Sequence, residues 1–238
     1  MNRDIPPTAL ITGGSAGLGL ALVHALGDAG WQVITDARDA RRLAEATTAL
    51  SPDVLPVPGD VGDPAHRDRL AAAVATAGRL DLLVHNASAL GPMLPLAEVS
   101  AELAEPVWRT NALAPLLLTR RLLPHLLASG GRLVGISSDA AVEHYPTWGL
   151  YAASKAALDQ VILTLGAETG LTAYAVDPGD MRTEMHQHAF PGEDISDRPE
   201  PASVVPALMR LFSGALPSGR YRAADLAARR VDDPSVVA

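Results

Sequence analysis

Tyr151 and Lys155 are spaced for proton chemistry, because residues at i and i+4 share one face of a predicted helix. Ser138 precedes them at the end of a predicted strand. Hydride delivery to a carbonyl requires a proton for the developing alkoxide, and a free tyrosine, with a pKa of about 10, transfers one reluctantly near neutrality. A nearby ammonium favours the phenolate. We therefore expect Lys155 to lower the pKa of Tyr151, and the Ser138 hydroxyl to orient the substrate oxygen.

Lys155 is the only lysine in the chain, and the other basic residues counted among the 19 are arginines. Arginine stays charged and planar, whereas lysine is a compact donor whose pKa can be tuned. A Tyr-x-x-x-Lys spacing is common by chance in helices. Its combination with a serine at a strand end and with the sole lysine indicates a catalytic group.

A glycine-rich turn joins the first predicted strand to the first predicted helix, and it runs Thr-Gly-Gly-Ser-Ala-Gly-Leu-Gly from Thr12 to Gly19. Glycine there lets the backbone approach a pyrophosphate closely, and the helix N-terminus adds oriented N–H groups. The spacing differs from G-x-G-x-x-G, but the strand–turn–helix setting favours a dinucleotide phosphate site over a merely flexible turn.

Short apolar runs alternate with helical patterns along the chain. Predicted strands cover Ala9–Thr12, Gln32–Thr35, Val54–Val57, Leu82–His85, Leu133–Ser137, Thr172–Val176 and Arg220–Arg222. Predicted helices cover Gly17–Ala29, Ala40–Leu50, Pro64–Thr76, Tyr151–Glu168 and Val204–Phe212, with a long helix within Ala101–Leu127. The alternation predicts an α/β fold with a doubly wound parallel sheet. No linker divides it, so we expect one domain over residues 1–238, with a substrate loop at about 180–201.

Composition excludes several classes of function. Apolar residues make up 48% of the chain and charged residues 19%, as in globular proteins. The absence of cysteine removes disulfides and thiolate chemistry. A net charge of −8 argues against nucleic-acid binding. Met1–Pro7 shows no signal peptide, and prolines and arginines interrupt the apolar stretch Leu113–Leu127, so we expect no membrane span and a cytoplasmic protein.

The turn at Thr12–Gly19 resembles the T-G-x-x-x-G-x-G turn of the short-chain dehydrogenase/reductase family, and Ser138 with Tyr151-x-x-x-Lys155 resembles that family's catalytic pattern. The resemblance covers almost the whole chain. It implies a Rossmann-like fold of three α/β/α layers, an NAD(P) cofactor, a small-molecule substrate, and a homodimer or homotetramer.

Further segments extend the resemblance. Gly59-Asp60-Val61 is similar to the segment that contacts adenine, Asn86-Ala87-Ser88 to Asn-Ala-Gly, and Pro178-Gly179 with Thr183 to the segment near the nicotinamide carboxamide. Asn111 matches the asparagine that holds a water in the proton relay. The resemblance thus implies a catalytic tetrad of Asn111, Ser138, Tyr151 and Lys155. The implied cofactor residues are Thr12, Gly13, Ser15, Gly17, Leu18, Gly19, Arg38, Asp60, Val61, Asn86, Ala87, Tyr151, Lys155, Pro178, Gly179 and Thr183.

Two features depart from the family pattern. Ser88 adds a side chain where backbone usually lies near the ribose, and we expect it to reshape that wall. The segment from Lys155 to Pro178 is a few residues shorter than usual, in a helix that often contributes to subunit contacts.

The cofactor preference depends on the residues that follow the second predicted strand. Counted from Gly30 as in the family that the chain resembles, the position that carries a carboxylate in NAD-specific enzymes falls on Ala37, and Arg38 follows it. An arginine there suits the 2′-phosphate of NADP(H). Asp36 favours the opposite choice if the strand ends one residue earlier, because its carboxylate would then reach the ribose and favour NAD(H).

The resemblance implies a substrate pocket built from the segments after Ser138, around Gly91–Leu96 and after Gly179. Here these segments carry polar and aromatic residues that suit a small oxygenated or amine-bearing molecule: Asp139, Glu143, His144, Tyr145, Trp148, Met181, Glu184, Met185, His186 and His188. His186-x-His188 has no third ligand at a recognisable spacing, so no metal site is predicted. The sequence predicts an NADP(H)-dependent carbonyl reductase or alcohol dehydrogenase. An NAD-dependent dehydrogenase of the same fold and a non-catalytic NADP(H) sensor are the alternatives, and the substrate and physiological direction stay open.

Overall fold

Parallel strands form a single sheet in the computed structural model, which describes residues 6–48, 50, 53–214 and 216–228. Within those residues the strands are β1 Thr8–Ile11, β2 Gln32–Ala37, β3 Val54–Pro58, β4 Leu82–His85, β5 Arg132–Ile136, β6 Thr172–Asp177 and β7 Gly219–Arg222. Their order across the sheet is β3-β2-β1-β4-β5-β6-β7, and every neighbouring pair is parallel. The predicted doubly wound parallel sheet is confirmed.

Helices cover both faces of this sheet. In the described part of the chain they are α1 Gly17–Asp28, α2 Ala40–Thr47, α3 Pro64–Ala77, α4 Ala101–Trp108, α5 Ala114–Ser129, α6 Gly149–Thr169, α7 Glu184–Ala189, α8 Val205–Phe212 and α9 Ala223–Ala228. Leu22 of α1 and Leu208 of α8 belong to the core on one face. Leu118 of α5 and Ile162 of α6 belong to the core on the other. Strands buried from both sides explain the near-continuous apolar runs that the sequence shows.

The chain order creates a crevice at the carboxyl edge of the sheet. From β1 the chain moves outward to β2 and β3 on one side, and then crosses back to β4 and proceeds to β7 on the other. The loops that follow β1 and β4 therefore diverge, and ligands of such sheets bind where they part. The Thr12–Gly19 turn leaves β1 at this point.

Gly135 sets the distance between β5 and α6. A Cβ at that position would lie 2.8 Å from Cγ1 of Ile162, so only glycine lets the helix approach this closely. Because α6 carries Tyr151 and Lys155, this close packing places both side chains against the end of β5.

The observed helices differ from the predicted ones by more than two residues in three respects. The predicted helix within Ala101–Leu127 is interrupted by a π-helical turn at Arg109–Leu113, as occurs often at functional sites. The predicted helix Ala40–Leu50 ends at Thr47, and Ala49 lies outside the described residues. The short helices α7 and α9 were not predicted, because six residues give too little hydrophobic periodicity.

Through the described ranges, no helix combines the length and hydropathy that a membrane span requires. The prediction of one domain over residues 1–238 extends beyond those ranges and stays a prediction.

Candidate active site

A cavity of about 820 Å³ opens at the carboxyl edge of the sheet. Its wall includes the glycine turn after β1, the segments that follow β2 to β6, and the first turns of α6. The predicted cofactor residues that line it are Gly13, Ser15, Gly17, Leu18, Arg38, Asp60, Val61, Asn86, Ala87, Tyr151, Lys155, Pro178, Gly179 and Thr183, and Ser138 lines it too. The structure thus brings together segments that lie far apart in sequence.

Tyr151 and Lys155 point to one place from successive turns of α6. Both are buried, with 8% and 2% of their surface exposed. The Lys155 ammonium donates a 2.7 Å hydrogen bond to the Ile136 carbonyl oxygen and lies 5.6 Å from the centre of the Tyr151 ring. The hydroxyls of Ser138 and Ser88 lie near enough to the Tyr151 phenol to act on its pKa. Phenol, ammonium and two hydroxyls therefore meet at the cavity wall.

The expectation that Lys155 lowers the pKa of Tyr151 was wrong in direction. Burial raises the pKa of Tyr151 to about 12, although the nearby hydroxyls of Ser88 and Ser138 act to lower it. Burial also lowers the pKa of Lys155 to about 8, while the negative charge of Asp159 opposes that shift. Loss of hydration is the largest cause of the shift at Tyr151, and the Lys155 ammonium donates its hydrogen bond to the Ile136 carbonyl oxygen.

Ser138 is held by its own neighbours and by β7. Its hydroxyl donates to Oδ1 of Asp139 at 2.9 Å and accepts from the Ala140 N–H at 3.2 Å. Arg220 donates to the Ser138 carbonyl oxygen at 2.7 Å and to Asp159 at 3.0 Å. The sequence did not single out Arg220 or Asp159 for this role, because only the pairing of β6 with β7 brings Arg220 to the site.

The glycine turn is held in place by Thr12 and Asn86. Thr12 Oγ1 accepts hydrogen bonds from the backbone N–H groups of Asn86 and Ala87, each at 3.1 Å. The Asn86 amide donates to the carbonyl oxygens of Thr12 and Gly13 at 2.9 and 3.1 Å. Gly13 has φ +75°, and a Cβ there would lie 2.9 Å from Ala87 Cα. Thr12 and Gly19, both predicted cofactor residues, do not line the cavity and instead support the turn behind it.

The carboxylate of Asp36 is engaged in hydrogen bonds within the protein. It is 2% exposed, Oδ1 accepts from the Gly13 N–H at 2.8 Å, and Oδ2 is 2.9 Å from Nε2 of His66. Strand β2 continues to Ala37, so Arg38 is the first residue beyond it. Arg38 is exposed, lines the cavity and makes no salt bridge with any described residue. Asp36 also lines the cavity, but both oxygens of its carboxylate are engaged, so the charged group at the end of β2 without a salt-bridge partner among the described residues is the Arg38 guanidinium.

Asn111 lies behind the cavity wall and is fully buried. Its side-chain oxygen accepts from the Ala89 N–H at 2.7 Å, and its amide nitrogen donates to the Ala89 carbonyl oxygen and to Ser154 at 2.8 and 2.9 Å. The side chain thus fixes the segment that carries Ser88. A role of Asn111 in a proton relay stays a prediction. Ser88, expected at the ribose wall, is placed beside the phenol, which its sequence position did not indicate.

The predicted substrate residues are divided between the cavity and its surroundings. Asp139, Trp148, Met181, Glu184, Met185 and His186 line it, whereas Glu143, His144 and Tyr145 do not. His188 and the residues Gly91 to Met93 line an adjoining pocket. Arg42, which the sequence reasoning missed, lines the cavity and makes a bidentate contact with Glu184 at 2.8 and 2.6 Å.

The described residues hold no group of three or more His, Asp or Glu side chains placed to bind a metal ion.

Substitution of Gly19 by alanine is expected to disrupt the turn. A Cβ at this position would lie 2.2 Å from the Gly13 carbonyl oxygen and 2.4 Å from Nδ2 of Asn86. Displacing them should cost about 1–3 kcal/mol of unfolding free energy and weaken dinucleotide binding. Chemical denaturation measures the first effect and titration with NADPH the second. Gly219→Ala is the control, because its Cβ would make only ordinary contacts at 3.6 Å. Equal stability of the two variants would contradict the prediction.

Comparisons with known proteins agree with this geometry. The short chain dehydrogenase family model matches residues 7–194. The oxidoreductase YciK of Escherichia coli K12 is 37% identical over 137 residues, which cover 56% of this chain and 54% of that protein, so the match spans about half of its length. A short chain dehydrogenase from Escherichia coli CFT073 in complex with NADPH superposes with a TM-score of 0.86 at 29% identity, covering 94% of this chain and 99% of the other. A short chain dehydrogenase from Shigella flexneri 2a in complex with NADP superposes with a TM-score of 0.83 at 29% identity, covering 94% of this chain and 100% of the other.

Proposed function

This chain belongs to the short-chain dehydrogenase/reductase family, and from that premise we propose that it transfers hydride between NADP(H) and a small polar carbonyl or alcohol, with Tyr151 as the proton donor. The observation that carries the proposal is the meeting of the Tyr151 phenol with the Ser138 and Ser88 hydroxyls and the Lys155 ammonium in one cavity. A protein that only senses a dinucleotide has no need of this group of side chains.

The residues of the cavity fit a dinucleotide. Gly13 and Gly17 have positive φ values of 75° and 54°, so the backbone of the turn curves without side chains in the way. The turn opens the 12-residue helix α1, whose first N–H groups suit a pyrophosphate. Arg38 offers a free guanidinium where a 2′-phosphate would lie, and the carboxylate oxygens of Asp36 are engaged with Gly13 and His66. The NADP and NADPH complexes of similar structures support the same choice.

In the proposed reaction the bound cofactor would supply the hydride, and side chains of the protein would supply the proton. Ser138 orients the substrate oxygen by hydrogen bonding, and Tyr151 gives its proton to the oxygen as negative charge develops there. The Lys155 ammonium, 5.6 Å from the ring centre, stabilises the phenolate that remains.

The high pKa of Tyr151 favours reduction near neutral pH. With a pKa of about 12 the phenol is a weaker acid than free tyrosine, but it is protonated at neutral pH, so the proton that reduction requires is present. Oxidation of an alcohol would need the phenolate, so we propose that it becomes efficient only in alkaline solution.

Exchange of Arg38 for glutamine tests the cofactor. We expect the wild type to oxidise NADPH in preference to NADH across a panel of ketones, aldehydes, keto sugars and quinones. Arg38→Gln should raise the KM for NADPH about tenfold or more and leave that for NADH nearly unchanged, because only NADPH carries the phosphate. Arg41→Gln is the matched control, since Arg41 is an exposed arginine three residues further on, in α2, and lies outside the cavity wall. An equal effect on both cofactors would contradict the assignment.

A homodimer or homotetramer stays a proposal. Large apolar side chains that are at least one-third exposed cluster on α4, the π-helical turn and α5: Leu103, Trp108, Leu113, Leu116 and Leu127. Such a surface suits contact with a second copy of the chain.

A further inference from the structure

Asp139 places a fixed carboxylate next to the reacting groups. It follows Ser138 in sequence and lines the cavity. Its Oδ1 accepts from the Ser138 hydroxyl at 2.9 Å and the Ala140 N–H at 2.8 Å, and its Oδ2 accepts from the Tyr145 hydroxyl at 2.8 Å. All three donors are neutral. These hydrogen bonds fix the position of the carboxylate, which is hydrogen-bonded directly to the Ser138 hydroxyl, and they do not neutralise its charge.

The charge of Asp139 is unmatched, unlike that of the other acidic residues on this side of the cavity. Those residues each face an arginine: Asp177 faces Arg222 at 3.8 Å, Asp180 faces Arg198 at 3.7 Å and Glu184 contacts Arg42 at 2.6 Å. Asp139 forms no salt bridge within the described ranges. The neighbouring cation Arg220 is paired with Asp159, whose charge also acts on Lys155. Any ligand that lies against Ser138 therefore meets a negative charge.

An aromatic wall stands beside this carboxylate. Trp148 lines the cavity, with its ring centre 5.9 Å from that of Tyr151 and 6.4 Å from that of Tyr145. Phe190 packs against Trp148 from another side at 5.9 Å. Tyr145 joins the two features, because its hydroxyl binds Asp139 while its ring packs on Trp148. Among aromatic side chains, the indole of tryptophan attracts a cation over its ring face most strongly.

We propose that Asp139 and Trp148 form a subsite for a protonated amine, so that the substrates are amino ketones and the corresponding amino alcohols. The inference rests on the proposed function for the position of the carbonyl, whose oxygen lies at Ser138 and Tyr151. Asp139 is one hydrogen bond beyond Ser138, which places the ammonium one or two carbons from the carbonyl. The carbonyl carbon gains the hydride and its oxygen the proton of Tyr151, and the ammonium is unchanged. Keto acids are disfavoured, since their carboxylate would face Asp139.

Binding of three matched alcohols tests the subsite. The probes are 1-amino-2-propanol, 1,2-propanediol and lactate, which share a three-carbon skeleton and differ in charge. They are titrated at pH 7 into the enzyme saturated with NADP⁺, and followed by ligand-observed NMR. We expect the amino alcohol to bind most tightly and lactate most weakly. Asp139→Asn, which keeps the hydrogen-bond acceptor, should weaken binding of the amino alcohol about tenfold and change that of the diol little.

Glu143→Gln is the matched control, because it removes a charge from an exposed neighbouring residue outside the cavity wall. Equal binding of the amino alcohol and the diol, no binding of any probe, or a preference that survives in Asp139→Asn would overturn the subsite. The same experiments distinguish failure of the subsite from failure of the proposed function. Preference for the amino alcohol without any hydride transfer would leave the subsite standing, and reduction of neutral ketones without that preference would leave the reaction standing.

Discussion

Replacement of Tyr151 by phenylalanine should lower kcat for the proposed carbonyl reduction by about 10²–10⁴-fold, because the proposed proton donor is lost while the ring remains. The phenol contributes a hydroxyl that meets Ser138 and Ser88, whereas its ring packs against Trp148. Phenylalanine preserves this packing, so affinity for NADPH should change by less than about threefold. Stopped-flow measurement of NADPH oxidation under single-turnover conditions checks the rate, and fluorescence titration checks binding.

Tyr145→Phe is the control for loss of a tyrosine hydroxyl near the site. Tyr145 is 43% exposed and does not line the cavity, so its substitution should leave kcat for neutral ketones within a few-fold of the wild type. A Tyr151→Phe variant that retained full kcat would remove Tyr151 from the reaction and bring the dinucleotide-sensor alternative forward.

Replacement of Lys155 by methionine should stabilise the protein while it abolishes most of its activity. Burial lowers the pKa of Lys155 from 10.5 to about 8, which corresponds to a cost of about 3 kcal/mol for keeping the charged form in the fold. Methionine fills a similar volume without charge, and loss of the hydrogen bond to the Ile136 carbonyl offsets about 1–2 kcal/mol. We expect a net gain of about 1–2 kcal/mol in unfolding free energy, and a fall in kcat of about 10²-fold.

The pH dependence of stability distinguishes this explanation from better packing. Between about pH 8 and pH 10.5 the unfolded state binds more protons at Lys155 than the folded state, so this residue makes stability rise with pH. Above pH 10 the raised pKa of Tyr151 acts in the opposite direction, because the folded state holds the proton longer. Denaturation of the wild type should show the rise from pH 8, and Lys155→Met should lack it. A rise of equal size in the variant would assign the effect to another group.

Much of the fold was predictable because it depends on local patterns. Strand β4 was predicted with its observed bounds, and the starts of α1, α2 and α3 were predicted at Gly17, Ala40 and Pro64. A proline at the first turn and Asp63, whose side chain caps α3, are signals within a few residues of each other. The π-helical turn was missed because its cause is tertiary, since Asn111 turns inward to bind the segment after β4.

The sequence by itself determined which side chains could react. Four features can be recognised from the linear sequence: the single lysine, its spacing from Tyr151, the glycine turn, and the serine that follows β5. The spacing is informative because residues at i and i+4 share one face of a helix. The order of the strands decided the rest. It turned Asp36 toward Gly13 and His66, left Arg38 facing the cavity, brought Arg220 to Ser138 and buried Tyr151 until its pKa rose instead of falling. Burial and contacts between distant segments arise only when the chain is packed, so hydration loss and partner choice are properties of the tertiary structure.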